Sequence, residues 1–171
     1  MKTLLRICLI LGALFCFTIG YPTSARASCN GSSVTPSPHY GGGGGKPFTD
    51  IATPIQEVSG IKIRSGAEVD AIQICFRGQA MDFCANQHGG NGGTLFEFSL
   101  GPGEYISRID GRSGSRIDRL TFITNTGKMF GPHGGNGGSP FSIPSICLNG
   151  IAGRSGNRLD AFQAFSGEAN D

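Results

Sequence analysis

Two short signatures with chemical potential recur three times in this chain of 171 residues. The first is a glycine run that starts at Gly41, Gly89 and Gly134. The second is Gly-x-x-x-Asp, whose copies end at Asp70, Asp118 and Asp160. A glycine run lets backbone N–H groups approach a ligand closely, and a carboxylate accepts hydrogen bonds from neighbouring hydroxyls. Because a sugar hydroxyl both donates and accepts, the pair of signatures suits carbohydrate; the alternative is that each Asp only satisfies its own turn.

The two signatures alternate in a fixed order, which divides the chain into three units, 40–87, 88–132 and 133–171. Each unit opens with an aromatic or imidazole side chain, at Tyr40, His88 and His133. Between the signatures, apolar and polar residues alternate with period two, as along Phe96, Phe98 and Leu100. This pattern predicts an all-β domain with internal threefold pseudosymmetry. One unit is too short to bury its own apolar face, so we expect the three to share a core.

Composition and spacing argue against catalysis and against a metal or cofactor. The histidines are His39, His88 and His133, and the last two hold the position of Tyr40, which favours an aromatic role over a base or ligand. No nucleophile–histidine arrangement, zinc motif, P-loop or dinucleotide fingerprint can be assembled from the sequence. We therefore predict a protein that is not an enzyme, with no catalytic residues, no metal ligands and no cofactor.

The N-terminal segment 1–27 is typical of a secretory signal peptide. Lys2 and Arg6 precede an apolar stretch from Leu9 to Ile19, and Ala25-Arg26-Ala27 forms a cleavage pattern. Without this segment the net charge falls from +2 to about −1, which removes the bulk attraction to nucleic acid or anionic membranes. We predict a secreted protein, or a periplasmic one in a bacterium, without stable membrane insertion. Residues 28–39 are rich in Ser and Pro and are expected to form a flexible leader.

Four cysteines remain after residue 27, and an exported chain is expected to pair them. Cys75 and Cys84 flank a predicted hairpin, which favours a disulfide between them among the three pairings available. That choice leaves Cys29 to pair with Cys147.

The second unit carries GEYISRI, RSGSRIDRLTF, TNTGK and FGPHGGNGG in succession. With these motifs the chain resembles the jacalin-related lectins over residues 40–171. The resemblance implies a β-prism of three Greek-key, four-stranded sheets, and it implies binding of glycans of the mannose or glucose type.

The resemblance also implies three sugar sites. In each, an Asp, the amides of the two residues before it and the glycine run of the following unit meet at the ligand. The predicted sets are Asp70, Glu68, Val69, Gly89 and Gly90; Asp118, Arg116, Ile117, Gly134 and Gly135; and Asp160, Arg158, Leu159, Gly41 and Gly42.

The third position of the Gly-x-x-x-Asp signature departs from the threefold-repeated members of the family, which carry Tyr there. This chain has Glu68, Arg116 and Arg158 instead, so an aromatic platform for the sugar is missing. Two alternatives follow. Arginine-rich faces could bind an anionic polysaccharide, through Arg108, Arg112, Arg116, Arg119, Arg154 and Arg158. Otherwise the prism is a structural or interaction protein without sugar binding; homo-oligomer formation is open in every case.

Overall fold

The computed structural model of the chain describes residues 28–170. The predicted signal peptide, 1–27, lies outside the described residues. Every regular element between residues 28 and 170 is a β-strand, and none of the described residues forms a helix able to cross a membrane. The strands are β1 (Ser28–Pro36), β2 (Tyr40–Gly41), β3 (Lys46–Ile51), β4 (Glu57–Ser65), β5 (Val69–Arg77), β6 (Asp82–Cys84), β7 (His88–Gly89), β8 (Thr94–Ser99), β9 (Ile106–Ser113), β10 (Ile117–Thr124), β11 (Met129–Gly134), β12 (Ser139–Ile143), β13 (Leu148–Ser155) and β14 (Leu159–Asn170).

The strands form three antiparallel sheets that are related by the repeat. Their orders are β1-β14-β13-β3, β6-β5-β4-β8 and β11-β10-β9-β12. The short strands β2 and β7 pair with β14 and β5 respectively, where they continue the outer strand of their sheets after a break. In the remaining sheet the same outer strand is the unbroken β11. The predicted all-β prism of three four-stranded sheets is confirmed, with the outer strand split in two of the sheets.

The prediction of a flexible leader is wrong for residues 28–36. Residues 28–36 were expected in a flexible leader, yet they form β1 and pair with β14. The third unit, 133–171, is the shortest and supplies only β12, β13 and β14, so β14 would otherwise present an unpaired edge. The segment ahead of the first unit fills that edge, which makes it the outer strand of the third repeat.

All three sheets contribute to one buried core. The residue before each signature Asp is fully buried, at Val69, Ile117 and Leu159. The residue two places after each Asp is also fully buried, at Ile72, Leu120 and Phe162. Each such side chain contributes about 1.5–3 kcal/mol by its burial. The expectation of a shared core is confirmed, and this core fixes the turn that carries each Asp.

Both predicted disulfides are present. Cys75 of β5 bonds Cys84 of β6, and Cys29 of β1 bonds Cys147, immediately before β13. The second bridge spans 118 residues and fastens the N-terminal strand to the third repeat.

Candidate functional site

Each glycine run is the loop that joins the outer strand of a sheet to the strand at its opposite edge. These loops run from β2 to β3, from β7 to β8 and from β11 to β12. In the last of them, Gly134 and Gly138 have φ angles of 107° and 58°, a left-handed region that other residues rarely adopt. The other two loops begin and end in the same way. The sequence therefore needs glycine at both ends of the run to make the crossing.

The loops close tightly around the signature carboxylates. A Cβ atom at Gly44 would lie 2.7 Å from Oδ1 of Asp160, and one at Gly137 would lie 2.9 Å from Cγ of Asp118. Gly92 stands in the same relation to Asp70. The structure thus brings each Asp together with the glycine run expected for it, while the part that these residues play in binding sugar stays a prediction.

Main-chain hydrogen bonds fasten each loop to its Asp. The N–H groups of Gly42, Gly90 and Gly135 donate to the carbonyl oxygens of the signature Asp residues, over 2.9, 3.0 and 2.9 Å. These three glycines belong to the predicted sugar sites. In the structure their N–H groups hold the loop, so outward donation must come from other amides of the site.

An arginine outside the predicted sugar-binding sets braces each loop. It is the first residue of the RSG motif, and it donates to the loop's carbonyl oxygens. Arg112 reaches Gly137 O at 2.8 Å and Gly138 O at 2.7 Å. Arg64 and Arg154 make the equivalent bonds in the other two repeats. The signal was the presence of Arg at this position in all three copies of the motif.

The residues that open the units act as aromatic side chains. The rings of Tyr40 and Phe141 stack with centroids 3.9 Å apart, and the imidazole of His88 stacks on Phe48 at 3.8 Å. His133 makes a tilted contact with a phenylalanine, and its burial lowers the pKa of its imidazole below the usual value. These contacts join different units, and the ring contacts agree with the aromatic role predicted for these positions.

The third-position residues converge on one another from three sheets. The Oε2 atom of Glu68 lies 3.2 Å from Nη1 of Arg116 and 3.5 Å from Nε of Arg158. Arg158 also donates to Oδ1 of Asp70. Arg116 Nε lies 3.7 Å from Oδ1 of Asp160. A chain of alternating charges therefore links two of the three predicted sites.

The arginines of the alternative polysaccharide surface are engaged in internal contacts. Beyond those already described, Arg108 binds Asp110 and Arg119 binds Asn136. The Asp110 partnership raises the pKa of Arg108 through a hydrogen bond and charge attraction. Three of the six, Arg108, Arg116 and Arg158, are paired with carboxylates, which reduces the charge that the face presents, so this alternative gains no support from the structure.

Comparison with known proteins agrees with this architecture. The model of the Jacalin-like lectin domain matches residues 37–165. Griffithsin from Griffithsia sp. (strain Q66D336) is 39% identical over 46 residues, a stretch that covers 27% of this chain and 38% of griffithsin. The matched stretch therefore covers well under half the length of griffithsin.

Two solved structures are similar over nearly their whole length. AcmJRL, a mannose-binding jacalin-related lectin from Ananas comosus, is 33% identical with a TM-score of 0.70, covering 77% of this chain and 96% of that one. Malaysian banana lectin is 31% identical with a TM-score of 0.70, covering 78% and 98%. The prism, the loop-and-Asp arrangement and these matches agree: the chain belongs to the jacalin-like lectin family, whose members are carbohydrate-binding proteins and not enzymes.

Proposed function

We propose that this chain is a secreted lectin that binds mannose- or glucose-type glycans where its glycine loops close around Asp70, Asp118 and Asp160. One observation carries the proposal: a glycine loop surrounds a carboxylate in the same way in all three repeats. The alternative, that each Asp only stabilises its own turn, does not explain this arrangement. The turn is already closed by main-chain hydrogen bonds, such as that from Gly66 N to Glu68 O at 3.0 Å.

The chemistry of the site favours neighbouring hydroxyl groups. A carboxylate accepts two such hydroxyls, and these hydrogen bonds are stronger than neutral ones because the acceptor is charged. All five residues of the loop 41–45 are glycine, as are four of the five in each of the other two loops, so a pyranose ring could approach the loop backbone. The similarity to the Ananas comosus lectin, which is described as mannose-binding, supports the same sugar class here.

Affinity at a single site is expected to be weak. The third position holds a charged side chain, so the sugar gains no stacking on an aromatic ring. Binding to a branched glycan or a cell surface would then depend on avidity, which raises apparent affinity about 10²–10⁴-fold where the geometry allows.

Export is proposed on two grounds. The segment 1–27 has the basic start, apolar stretch and cleavage pattern of a signal peptide. The described part of the chain also contains two disulfides, which form and persist in oxidising compartments.

The proposal is tested on a glycan array with the mature protein. Wild type should bind mannose-rich glycans, and the combined variant Asp70→Ala, Asp118→Ala and Asp160→Ala should lose that signal. Asp82→Ala is the matched control, because Asp82 is an exposed carboxylate on β6, away from the glycine loops. Equal binding by wild type and the triple variant would refute the site assignment. A blank array with folded wild type would favour an interaction protein without sugar binding.

A further inference from the structure

We infer that the three sugar sites are not equivalent: third-position arginines obstruct the sites of Asp70 and Asp160, and the site of Asp118 is the open one. The inference rests on the proposed function and names which of its sites take a neutral hexose. Three observations carry it: a cyclic contact between sites, the pairing of the arginines, and the position of Glu68.

The three sites contact one another in a ring, because each glycine loop abuts the Gly-x-x-x-Asp turn of another sheet. A Cβ atom at Gly42 would collide with the carbonyl of Ser115, and one at Gly90 with that of Asn157. Gly135 meets Ala67 in the same way. Each contacted residue directly precedes a third-position residue. Arg116 therefore stands beside the Asp160 site, Arg158 beside the Asp70 site, and Glu68 beside the Asp118 site.

Arg158 occupies the Asp70 site. Its Nη1 donates to Oδ1 of Asp70, whose side chain is only 3% exposed, and the other carboxylate oxygen is buried. A sugar hydroxyl at this site would have to displace a guanidinium. Because the displaced hydrogen bond joins two charges, it is stronger than the neutral–charged bond that replaces it.

Arg116 obstructs the Asp160 site less firmly. Its Nε lies 3.7 Å from Oδ1 of Asp160, beyond hydrogen-bond distance, while its Nη1 lies 3.2 Å from Glu68. The Asp160 side chain is 13% exposed, compared with 3% for Asp70. We therefore expect the Asp160 site to bind a neutral hexose more weakly than the Asp118 site and more tightly than the Asp70 site.

The Asp118 site differs because its neighbour in the cycle is acidic. Two carboxylates repel each other, so Glu68 cannot pair with Asp118 and instead binds Arg116 and Arg158. Within residues 28–170, no side chain forms a hydrogen bond or ion pair with the Asp118 carboxylate. The single acidic residue among the three third positions thus determines which site is open.

The test follows each site separately by NMR, with backbone amide resonances of the labelled mature protein titrated with methyl α-mannoside. In wild type, amides of the Gly134–Gly138 loop should shift at the lowest sugar concentration and those around Asp70 at the highest. Arg158→Ala should improve affinity at the Asp70 site about 10-fold, the equivalent of one charge-assisted hydrogen bond. Glu68→Arg should weaken the Asp118 site by a similar factor, because it places a guanidinium beside that carboxylate.

Lys62→Ala is the matched control, since it removes a cation that pairs with Glu97 on a sheet face and should leave all three sites unchanged. Equal wild-type affinity at the three sites would overturn the inference and leave the proposed function standing. So would weaker binding at the Asp70 site in Arg158→Ala, because that result would make Arg158 a sugar ligand. Absence of shifts in wild type and in every variant would refute the proposed function, and the inference with it.

Discussion

The substitution Gly137→Ala separates sugar binding from stability at the Asp118 site. The added Cβ would lie 2.9 Å from Cγ of Asp118 and closer still to its Oδ1, so the carboxylate must move by about 1 Å to reach ordinary contact distance. A binding group has to be held within about 0.5 Å of its productive position. The end of a side chain can yield in this way, whereas a backbone atom could not do so cheaply.

The expected loss is that of one charge-assisted hydrogen bond to a sugar hydroxyl, about 1.5–3 kcal/mol, or about 10- to 150-fold in affinity for methyl α-mannoside. The free energy of unfolding should change by less than about 1 kcal/mol, because replacing glycine reduces the entropy of the unfolded chain and offsets part of the local strain. Affinity is measured by NMR titration of the loop amides, and stability by urea denaturation.

Gly43→Ala is the control, since a Cβ at Gly43 meets no atom within 4 Å. This variant should bind like wild type, and an Asn at the equivalent position of the other two loops shows that a side chain is accommodated there. If Gly137→Ala stays folded and binds the sugar with wild-type affinity, the Asp118 carboxylate does not contact the sugar and the reasoning fails.

Three further predictions concern stability, each followed by urea denaturation. Replacing the Cys29–Cys147 pair by Ser should cost about 5 kcal/mol for its separation of 118 residues, against about 2.5 kcal/mol for the disulfide that closes 9 residues; the reverse order would contradict the chain-entropy argument. The N–H of Gly101 and nearby donors lower the pKa of Glu104 from 4.5 to about 2, so its stabilisation should be complete above pH 4.5 and disappear as the pH falls towards 2. Glu104→Gln should flatten that dependence, and an unchanged profile would count against it. Burial lowers the pKa of His133 below 6.5, so stability should decrease as the pH falls below 6.5, and His133→Phe should abolish this decrease.

The sequence was enough to predict features that repeat in it. The all-β class and the shared core follow from period-two alternation and from short signatures that occur three times, whereas the meeting of each Asp with its glycine loop was implied by the resemblance to the jacalin-related lectins. The disulfide between Cys75 and Cys84 was also predictable, since a local hairpin brings the two together.

Predictions from the sequence failed where the structure depends on a residue or strand far away in the chain. Residues 28–36 have a composition typical of a loop, and they form a strand only because β14 offers them an edge, with paired residues 129 to 142 positions apart in the sequence. The bracing role of Arg112 was missed for a related reason. Its spacing says nothing about where the guanidinium points, and only the fold shows that carbonyl oxygens of the glycine loop lie within its reach.

The third position of the signature changes charge between the repeats of this chain, and the backbone explains why. The turn is closed by the main-chain bonds Gly66 N to Glu68 O, Gly114 N to Arg116 O and Gly156 N to Arg158 O, each 3.0 Å long. A bond to a carbonyl oxygen places no demand on the side chain of the same residue. The fourth position is constrained instead, because Val69, Ile117 and Leu159 are buried in the core. Third-position residues can therefore change charge without loss of the fold, so the difference between sites arises at a position whose side chain the packing leaves free.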